Sequence, residues 1–359
     1  MYPVEFPRQQ WYVAALSREV SREFLSRWIL DEPVCFYRTL EGDPVAFVDR
    51  CIHRQMPLSK GRLRGDQLEC GYHGITYDTD GRAVRIPSQD FVPPACRVHR
   101  YPLHESGGVI WIWTGDPERA DTALIPDHHW LYAEDRKVIG GLLPMKARAQ
   151  LLNENLLDLS HLTFLHPESI GSAQVAEIPV TTEFTDSTVT CTRVMQGVDS
   201  PPFFQKVMGI TGLIDRGQVA EFHAPSFHIT HVSAKPAGSA DDEGLCEHKV
   251  IHCITPERRT SAHYFWLVSR SYRIDDPEVD ALWEQGGAMV FGQDTDACEA
   301  IEGVISAYEP SYPIELNMKV DGGPLRARRI LERLVAEEKV EKETAGQTAP
   351  APRAAGASA

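Results

Sequence analysis

The sequence predicts an α+β protein in two parts: an all-β domain over residues 1–116, then an α+β domain over 117–339 whose antiparallel sheet is flanked by helices. Three features predict this. Short β-branched and aromatic runs separated by turn residues crowd the first part. Long segments alternating apolar and polar residues fill the second. Two stretches with helical spacing of apolar residues bracket those segments.

In the first part the strand candidates are Trp28-Ile29-Leu30, Val34-Cys35-Phe36-Tyr37, Val45-Ala46-Phe47-Val48 and the run 108–113, GVIWIW. Asp116-Pro117-Glu118 ends this texture, and the polar stretch to Asp135 reads as a linker. In the second part Leu151, Leu152, Leu156, Leu159 and Leu162 mark a helical segment over about 148–166. Residues 189–195, 219–232, 248–255 and 261–274 then alternate as strands. A second helix over 277–307 opens after Asp275-Asp276, with Pro277 in its first turn. The Ala/Pro/Gly-rich residues 340–359 predict a disordered tail.

A net charge of −15 argues against non-specific nucleic-acid binding. No apolar run approaches the roughly 18 residues that span a bilayer. The opening MYPVEFPRQQWYVAAL lacks a basic segment followed by an apolar one, so neither a membrane span nor a secretory signal is expected and the cytoplasm is. The eight cysteines are then expected as thiols or metal ligands, because disulfides are rare in that compartment.

Two of those cysteines pair with histidines. Cys51-Ile-His53 is followed, after sixteen residues, by Cys70-Gly-Tyr-His73. Two thiolates can hold one iron of a 2Fe-2S cluster and two imidazoles the other, which raises its potential above that of an all-cysteine cluster. Tetrahedral zinc also accepts two Cys and two His. In zinc fingers, however, Cys pairs with Cys and His with His, whereas each loop here supplies one of each. Pro57, Gly61, Gly71 and Gly74 permit tight loops whose N–H groups can reach the sulfurs.

A second candidate centre lies in the segment 153–167, NENLLDLSHLTFLHP, where His161 and His166 are five residues apart. Five residues of regular helix rotate by about 500°, leaving the two side chains about 140° apart. They converge only if the helix bulges or ends, and Pro167 disfavours helical geometry at His166. Two histidines and one carboxylate on an iron leave open positions for O2 and substrate. Either histidine alone reads better as a core or cap residue; their co-occurrence with Asn155, Asp158 and the upstream Cys-His loops favours a metal centre.

Through CIHRQMPLSKG (51–61), CGYHGITYDTDG (70–81) and the pattern Asn155, two residues, Asp158, two residues, His161, four residues, His166, the sequence resembles the Rieske non-heme iron oxygenases. One departure is Gln55, where that family commonly has Gly or Ala. The resemblance implies a Rieske cluster on Cys51, His53, Cys70 and His73, and a helix-grip type second domain holding a mononuclear Fe(II) on His161, His166 and a downstream carboxylate. Asp294 is preferred over Asp296 because Glu299-Ala-Ile-Glu302 then falls in register. It further implies that Asp158 bridges to a cluster histidine of a neighbouring subunit; Asn155 reads as support for this site or as an ordinary polar helix residue. A ring-shaped homotrimer follows, in which His73 delivers electrons to the next chain.

Length and motif wording resemble most the O-demethylases and methyl hydroxylases of the vanillate, dicamba and toluenesulfonate type, with support from Gln10-Trp11-Tyr12-Val13-Ala14 and the run 262–266, AHYFW. This implies a small aromatic acid as substrate, hydroxylated at a methyl or methoxy carbon. Electrons would come from NAD(P)H through a reductase carrying flavin and a 2Fe-2S centre, or through a ferredoxin. A cis-dihydroxylating dioxygenase α subunit and a non-catalytic Rieske electron carrier are the competing functions. Phe222, Phe227, His231, His252 and Phe265 are the candidate substrate contacts, His231 and His252 foremost, since a histidine on an apolar strand needs a polar partner.

Overall fold

The computed structural model describes residues 5–240, 243–311 and 315–348. Among them the first part contains ten short strands: β1 (Trp11–Leu16), β2 (Leu25–Ile29), β3 (Glu32–Arg38), β4 (Pro44–Val48), β5 (Arg62–Arg64), β6 (Gln67–Glu69), β7 (Thr76–Tyr77), β8 (Ala83–Arg85), β9 (Leu103–Ser106) and β10 (Val109–Trp113). They form three small antiparallel sheets, ordered β1-β10-β9, β2-β3-β4 and β5-β6-β7-β8. All the expected strands are present.

Strands β1 and β10 are buried on both faces, which explains why WYVAAL and VIWIW read as continuous apolar runs. Tyr12, Ala14, Ile110 and Ile112 enter the core of the first part. Trp11, Val13, Trp111 and Trp113 point the other way, into a second cluster with Phe227, Ile229, Ile251, Phe265 and Leu267 of the second part. The two parts are thus joined by a continuous apolar interface. Trp130 and Leu131 belong to it too. The stretch expected as a linker is therefore a packed strap of short 3-10 turns at 117–119, 122–124 and 129–131; its polar composition masked these two apolar anchors.

The second part is a seven-stranded antiparallel sheet of β11 (Lys137–Met145), β12 (Thr181–Phe184), β13 (Thr188–Asp199), β14 (Leu213–His223), β15 (Phe227–Pro236), β16 (Cys246–Arg258) and β17 (Ser261–Arg270), in the order β11-β17-β16-β15-β14-β13-β12. The segment expected as one strand over 219–232 is a hairpin. Ala224-Pro225-Ser226 separates β14 from β15, which pair Phe222 with His228, because proline cannot donate to a ladder. Strand β11 was missed since Gly140-Gly141 interrupts its apolar run. A Cβ on Gly141 would lie 3.0 Å from the Trp266 indole, so only glycine lets β11 cover that ring.

The helical segment expected over 148–166 is two pieces, α1 (Ala149–Asn155) and α2 (Leu162–Leu165), followed by α3 (Pro202–Met208), α4 (Pro277–Tyr308) and α5 (Gly322–Thr348). Helix α4 starts where its signals place it: the Asp276 side chain accepts from the N–H groups of Glu278 and Val279, with Pro277 in the first turn. Helix α5 runs past residue 340, where a disordered tail was expected to begin, because Glu, Lys and Ala continue to favour helix there. Residues 349–359 of that expected tail lie outside the described residues.

One buried ion pair fixes α1 against α4. Arg148, 1% exposed, donates from its backbone N–H and from Nε to Glu302 Oε2 (3.0 and 2.7 Å), and from Nη2 to Glu302 Oε1 (2.8 Å) and Glu309 Oε1 (3.0 Å). Removing one partner strands the other charge in the interior. Arg148→Met is therefore expected to lower unfolding free energy by about 3–5 kcal/mol, and Arg148→Met with Glu302→Met to recover most of it. Denaturant midpoints of the two variants check this; equal losses in both would contradict it.

Candidate active site

The two Cys-His loops have matching backbones. In the first, the Cys51 N–H donates to the Met56 carbonyl and the Gln55 N–H to the Cys51 carbonyl; in the second, Cys70 N–H donates to Ile75 and Gly74 N–H to Cys70. Each loop turns through a left-handed residue four positions after its cysteine, Gln55 (φ +57°) and Gly74 (φ +71°). Gln55 is an L-residue in a conformation that costs about 1–2 kcal/mol, and Arg50 Nη1 holds its Oε1 at 3.0 Å. That is where the departure from the usual Gly or Ala is accommodated. A Cβ on Gly71 would lie 2.6 Å from the Lys60 carbonyl oxygen, so the loops approach too closely for any other residue.

Cys51 and Cys70 are buried while His53 and His73 are exposed, their Nδ1 atoms 3.1 Å apart. Burial raises the Cys70 thiol pKa, and so does neighbouring Cys51, while the N–H groups of Tyr72 and His73 oppose this by pointing at the sulfur. The Tyr77 hydroxyl lies 3.1 Å from Cys51 Sγ, a contact no sequence signal marked. Two sulfurs inside, two imidazole nitrogens at the rim and N–H and O–H groups aimed at sulfur fit a 2Fe-2S cluster ligated by two Cys and two His.

The second group forms where the helical segment breaks. Asp158 Oδ1 accepts from Ser160 N–H (2.8 Å) and Oγ–H (2.6 Å), and the Arg193 guanidinium donates to the Leu159 carbonyl at 2.7 Å. The chain re-enters helix at Leu162 and leaves it again at His166 (φ −121°, ψ 41°) before Pro167. These two breaks cancel the 140° divergence. His166 Nε2 lies 3.1 Å and His161 Nε2 3.5 Å from Asp294 Oδ1. One ligand atom from each of the three falls within 4.8 Å of the others. Donors at right angles about 2.1 Å from a first-row metal lie about 3 Å apart; the two Asp294 contacts are close to that spacing, and the donor set has the composition of a facial two-histidine, one-carboxylate site. Asp296, two residues on, is exposed on another side of α4.

Gln293 was not anticipated. Its Oε1 accepts from His166 Nδ1–H at 2.7 Å, an orientation that presents Nε2 on the side of Asp294. Burial alone would lower the His166 pKa, but the hydrogen bond and charge of Asp294 raise it; for His161 burial prevails and lowers it. The Asp158 carboxylate makes no hydrogen bond to His161: helix α1 ends at Asn155, the two residues do not share a helix face, and Asp158 Oδ1 engages Ser160. His161 Nδ1 and Asn155 Oδ1 are buried without hydrogen-bond partners. Asn155, Asp158, His161 and the 78% exposed Phe164 line one surface concavity.

The triad also lines an interior cavity between the sheet and α4. Strand alternation decides which side chains reach it: Arg216 and Gln218 from β14, Thr230 and Val232 from β15, His248, Val250 and His252 from β16. Phe203, Phe204, Trp283 and Phe291 close it from α3 and α4. Of the expected contacts only His252 is placed there. Its Nδ1 is 2.6 Å from the Tyr264 hydroxyl, and burial pushes its pKa down to about 4, so it is neutral near pH 7. His231 has the opposite parity and sits half-buried beside Glu247 on the other face. Phe265 and Phe227 also face away, into the tryptophan interface, Phe265 under the Arg27 guanidinium. Phe222 shares the cavity's face but lies beyond its lining, against His228. Arg216, missed earlier, had a readable signal: a charged residue at a buried parity of β14.

Residues 10–109 match the Rieske [2Fe-2S] domain family, and residues 145–337 match the vanillate O-demethylase oxygenase C-terminal domain family. The vanillate O-demethylase oxygenase subunit of a Pseudomonas species is 35% identical, over 93% of this chain and 96% of its own. The toluene-4-sulfonate monooxygenase system iron-sulfur subunit of Comamonas testosteroni is 33% identical, over 96% and 100%. The dicamba O-demethylase oxygenase component of Stenotrophomonas maltophilia is 31% identical, over 92% and 98%. The crystal structure of dicamba monooxygenase bound to 3,6-dichlorosalicylic acid superposes with a TM-score of 0.89 at 30% identity, covering 94% of this chain and 99% of that one. The structure with non-heme iron and dicamba gives 0.81 at 30% identity, covering 94% and 99%. Matched in both parts and over nearly its whole length, the chain belongs to the Rieske non-heme iron oxygenases, as the oxygenase component of a monooxygenase system: an oxidoreductase with a 2Fe-2S Rieske cluster and a mononuclear non-heme iron.

Proposed function

We propose that this oxygenase removes the methyl group of a methoxy-substituted aromatic acid, or hydroxylates an aryl methyl group, in a cavity closed at one end by His161, His166 and Asp294. The observation carrying this is the convergence of those three donors on a largely apolar cavity, beside relatives named for vanillate, dicamba and toluenesulfonate. In this reading Cys51 and Cys70 hold one cluster iron, His53 and His73 the other, and the triad holds Fe(II). The bound irons supply single-electron transfer and O2 activation. The balanced conversion is ArOCH3 + O2 + 2 electrons + 2 H+ to ArOCH2OH + H2O, and the hemiacetal then releases formaldehyde and the phenol. The electrons come from NAD(P)H through a reductase or ferredoxin.

The chain's own residues bind, orient and exclude water. Gln293 fixes the tautomer of His166. Phe203, Phe204, Trp283 and Phe291 provide apolar walls for a single ring. His252 and His248, the latter lowered by burial and by Arg216 to about 3, are neutral hydrogen-bonding groups. The exposed tips of His53 and His73 suit delivery of electrons to another chain. The concavity around Asp158, with exposed Phe164 beside it, suits a neighbour's cluster loop. This favours a homotrimer. No helix among the described residues is long and apolar enough to cross a membrane, in keeping with a cytoplasmic partner of a reductase.

Three measurements test these assignments. With reductase and NADH, 3-methoxy- and 4-hydroxy-3-methoxybenzoate are expected to stimulate O2 uptake and release one formaldehyde per turnover, with one atom of labelled O2 in the released formaldehyde; a cis-dihydrodiol carrying two would overturn the reading. Asp158→Asn is expected to retain about three irons per chain yet lower turnover at least tenfold; wild-type turnover would remove Asp158 from the electron route. Tyr77→Phe deletes one hydrogen bond to sulfur, worth about 0.5–1.5 kcal/mol, and should lower the cluster potential by roughly 20–60 mV. Redox titration of the visible absorption reads that shift, and an unchanged potential would refute it.

A further inference from the structure

A guanidinium presents five N–H donors and a permanent charge, so a buried arginine ordinarily meets carbonyl oxygens and a carboxylate. Arg216 meets few of these. Strand β14 carries it to 2% exposure on the side of the sheet that lines the cavity. Its Nη1 donates to the Ile170 carbonyl at 3.0 Å, its Nε is buried without a partner, and Nη2 makes no hydrogen bond to a described residue. The plane of the group lies over the Phe204 ring, 4.6 Å from its centre.

Among the described residues no carboxylate pairs with it. Its charged neighbour is a second buried cation, Arg193, whose own donors go to Val175, Leu159 and Gln218. The carboxylate lining the same cavity, Asp294, is held by His166 and His161. His248, on the neighbouring side of the lining, is uncharged. Burial and the charge of Arg193 lower the Arg216 pKa to about 9, which still leaves it cationic at neutral pH. A desolvated cation with free donors facing a cavity is a site for an oxyanion.

We propose that Arg216 is the specificity-determining residue of the cavity, pairing through its free N–H groups with the acid group of the aromatic substrate. The ring then lies against Phe203 and Trp283, and the oxidised substituent is turned toward the triad that shares the cavity. This rests on the aromatic-acid reading above and adds to it the group that selects acids over neutral aromatics. A planar carboxylate matches the guanidinium fork better than a tetrahedral sulfonate, although both carry the required oxygens.

The test is equilibrium binding to the holoenzyme without reductase, followed by calorimetry, so it does not depend on turnover. The probes are 3-methoxybenzoate, 4-methylbenzenesulfonate and the neutral 3-methoxybenzamide. The wild type should bind at least one anion about 10- to 100-fold more tightly than the amide. Arg216→Gln should abolish that preference while changing amide affinity less than about threefold, and Arg216→Lys should restore part of it. A far-ultraviolet circular dichroism spectrum and a thermal midpoint matching the wild type report whether each variant has folded. If the wild type shows no preference, if no anion binds at millimolar concentration, or if a folded Arg216→Gln weakens acid and amide alike, the proposal is wrong. Should anions bind through Arg216 while no methoxy acid is demethylated, the recognition site stands and the demethylation reading falls.

Discussion

A single metal ion demands three donor atoms about 3 Å apart, and a regular helix cannot offer two of them five residues apart. The second part of this protein is organised around that conflict. The chain abandons helix between Asn155 and Leu162 and again at His166, which brings two diverging imidazoles to one side. The broken segment is held from outside. Ser160 and Asp158 close its turn, Arg193 binds the Leu159 carbonyl, and Arg216 binds the Ile170 carbonyl. The third donor arrives on α4, clamped to the start of α1 by Arg148 and Glu302. Gln293, next to Asp294 on the same helix, then sets the ring of His166.

The sheet that supports this arrangement is used on both faces. One side carries the cavity and α4; the other packs on tryptophans of the first part. Because Phe227, Ile229, Ile251, Phe265 and Leu267 are buried on that second side, the first part is anchored by an apolar interface and not by a flexible tether. Its cluster loops project their histidines outward while the cysteines stay inside. In the proposed reading, electron entry and oxygen chemistry are thereby kept at different places: an exposed rim for one, an interior with buried arginines and neutral histidines for the other. Buried charge is costly, and the cations gathered behind the cavity make sense as recognition of an anion.

Much of the site was legible because its information is local. The cluster residues sit in two short loops whose glycines and prolines announce tight turns, and His161 and His166 lie in one contiguous segment whose spacing itself demanded a break. Helix α4 was legible through Asp276 and Pro277. Strand β11 was hidden by paired glycines needed to cover Trp266, and the β14–β15 hairpin by an alternation that continues on either side of Pro225.

From the sequence came the two-part α+β order and the candidate donors Cys51, His53, Cys70, His73, His161 and His166, which lie in short contiguous segments that resemble the Rieske oxygenases. Tertiary structure placed Asp294, already preferred by its register, beside His161 and His166, brought Gln293 to His166, turned His231 and Phe265 away from the cavity and left Arg216 inside it. The physical reason is common to all four. A period of two tells that a strand has two faces, and a helix that it has sides, but which one meets the substrate is set by packing against elements a hundred residues away.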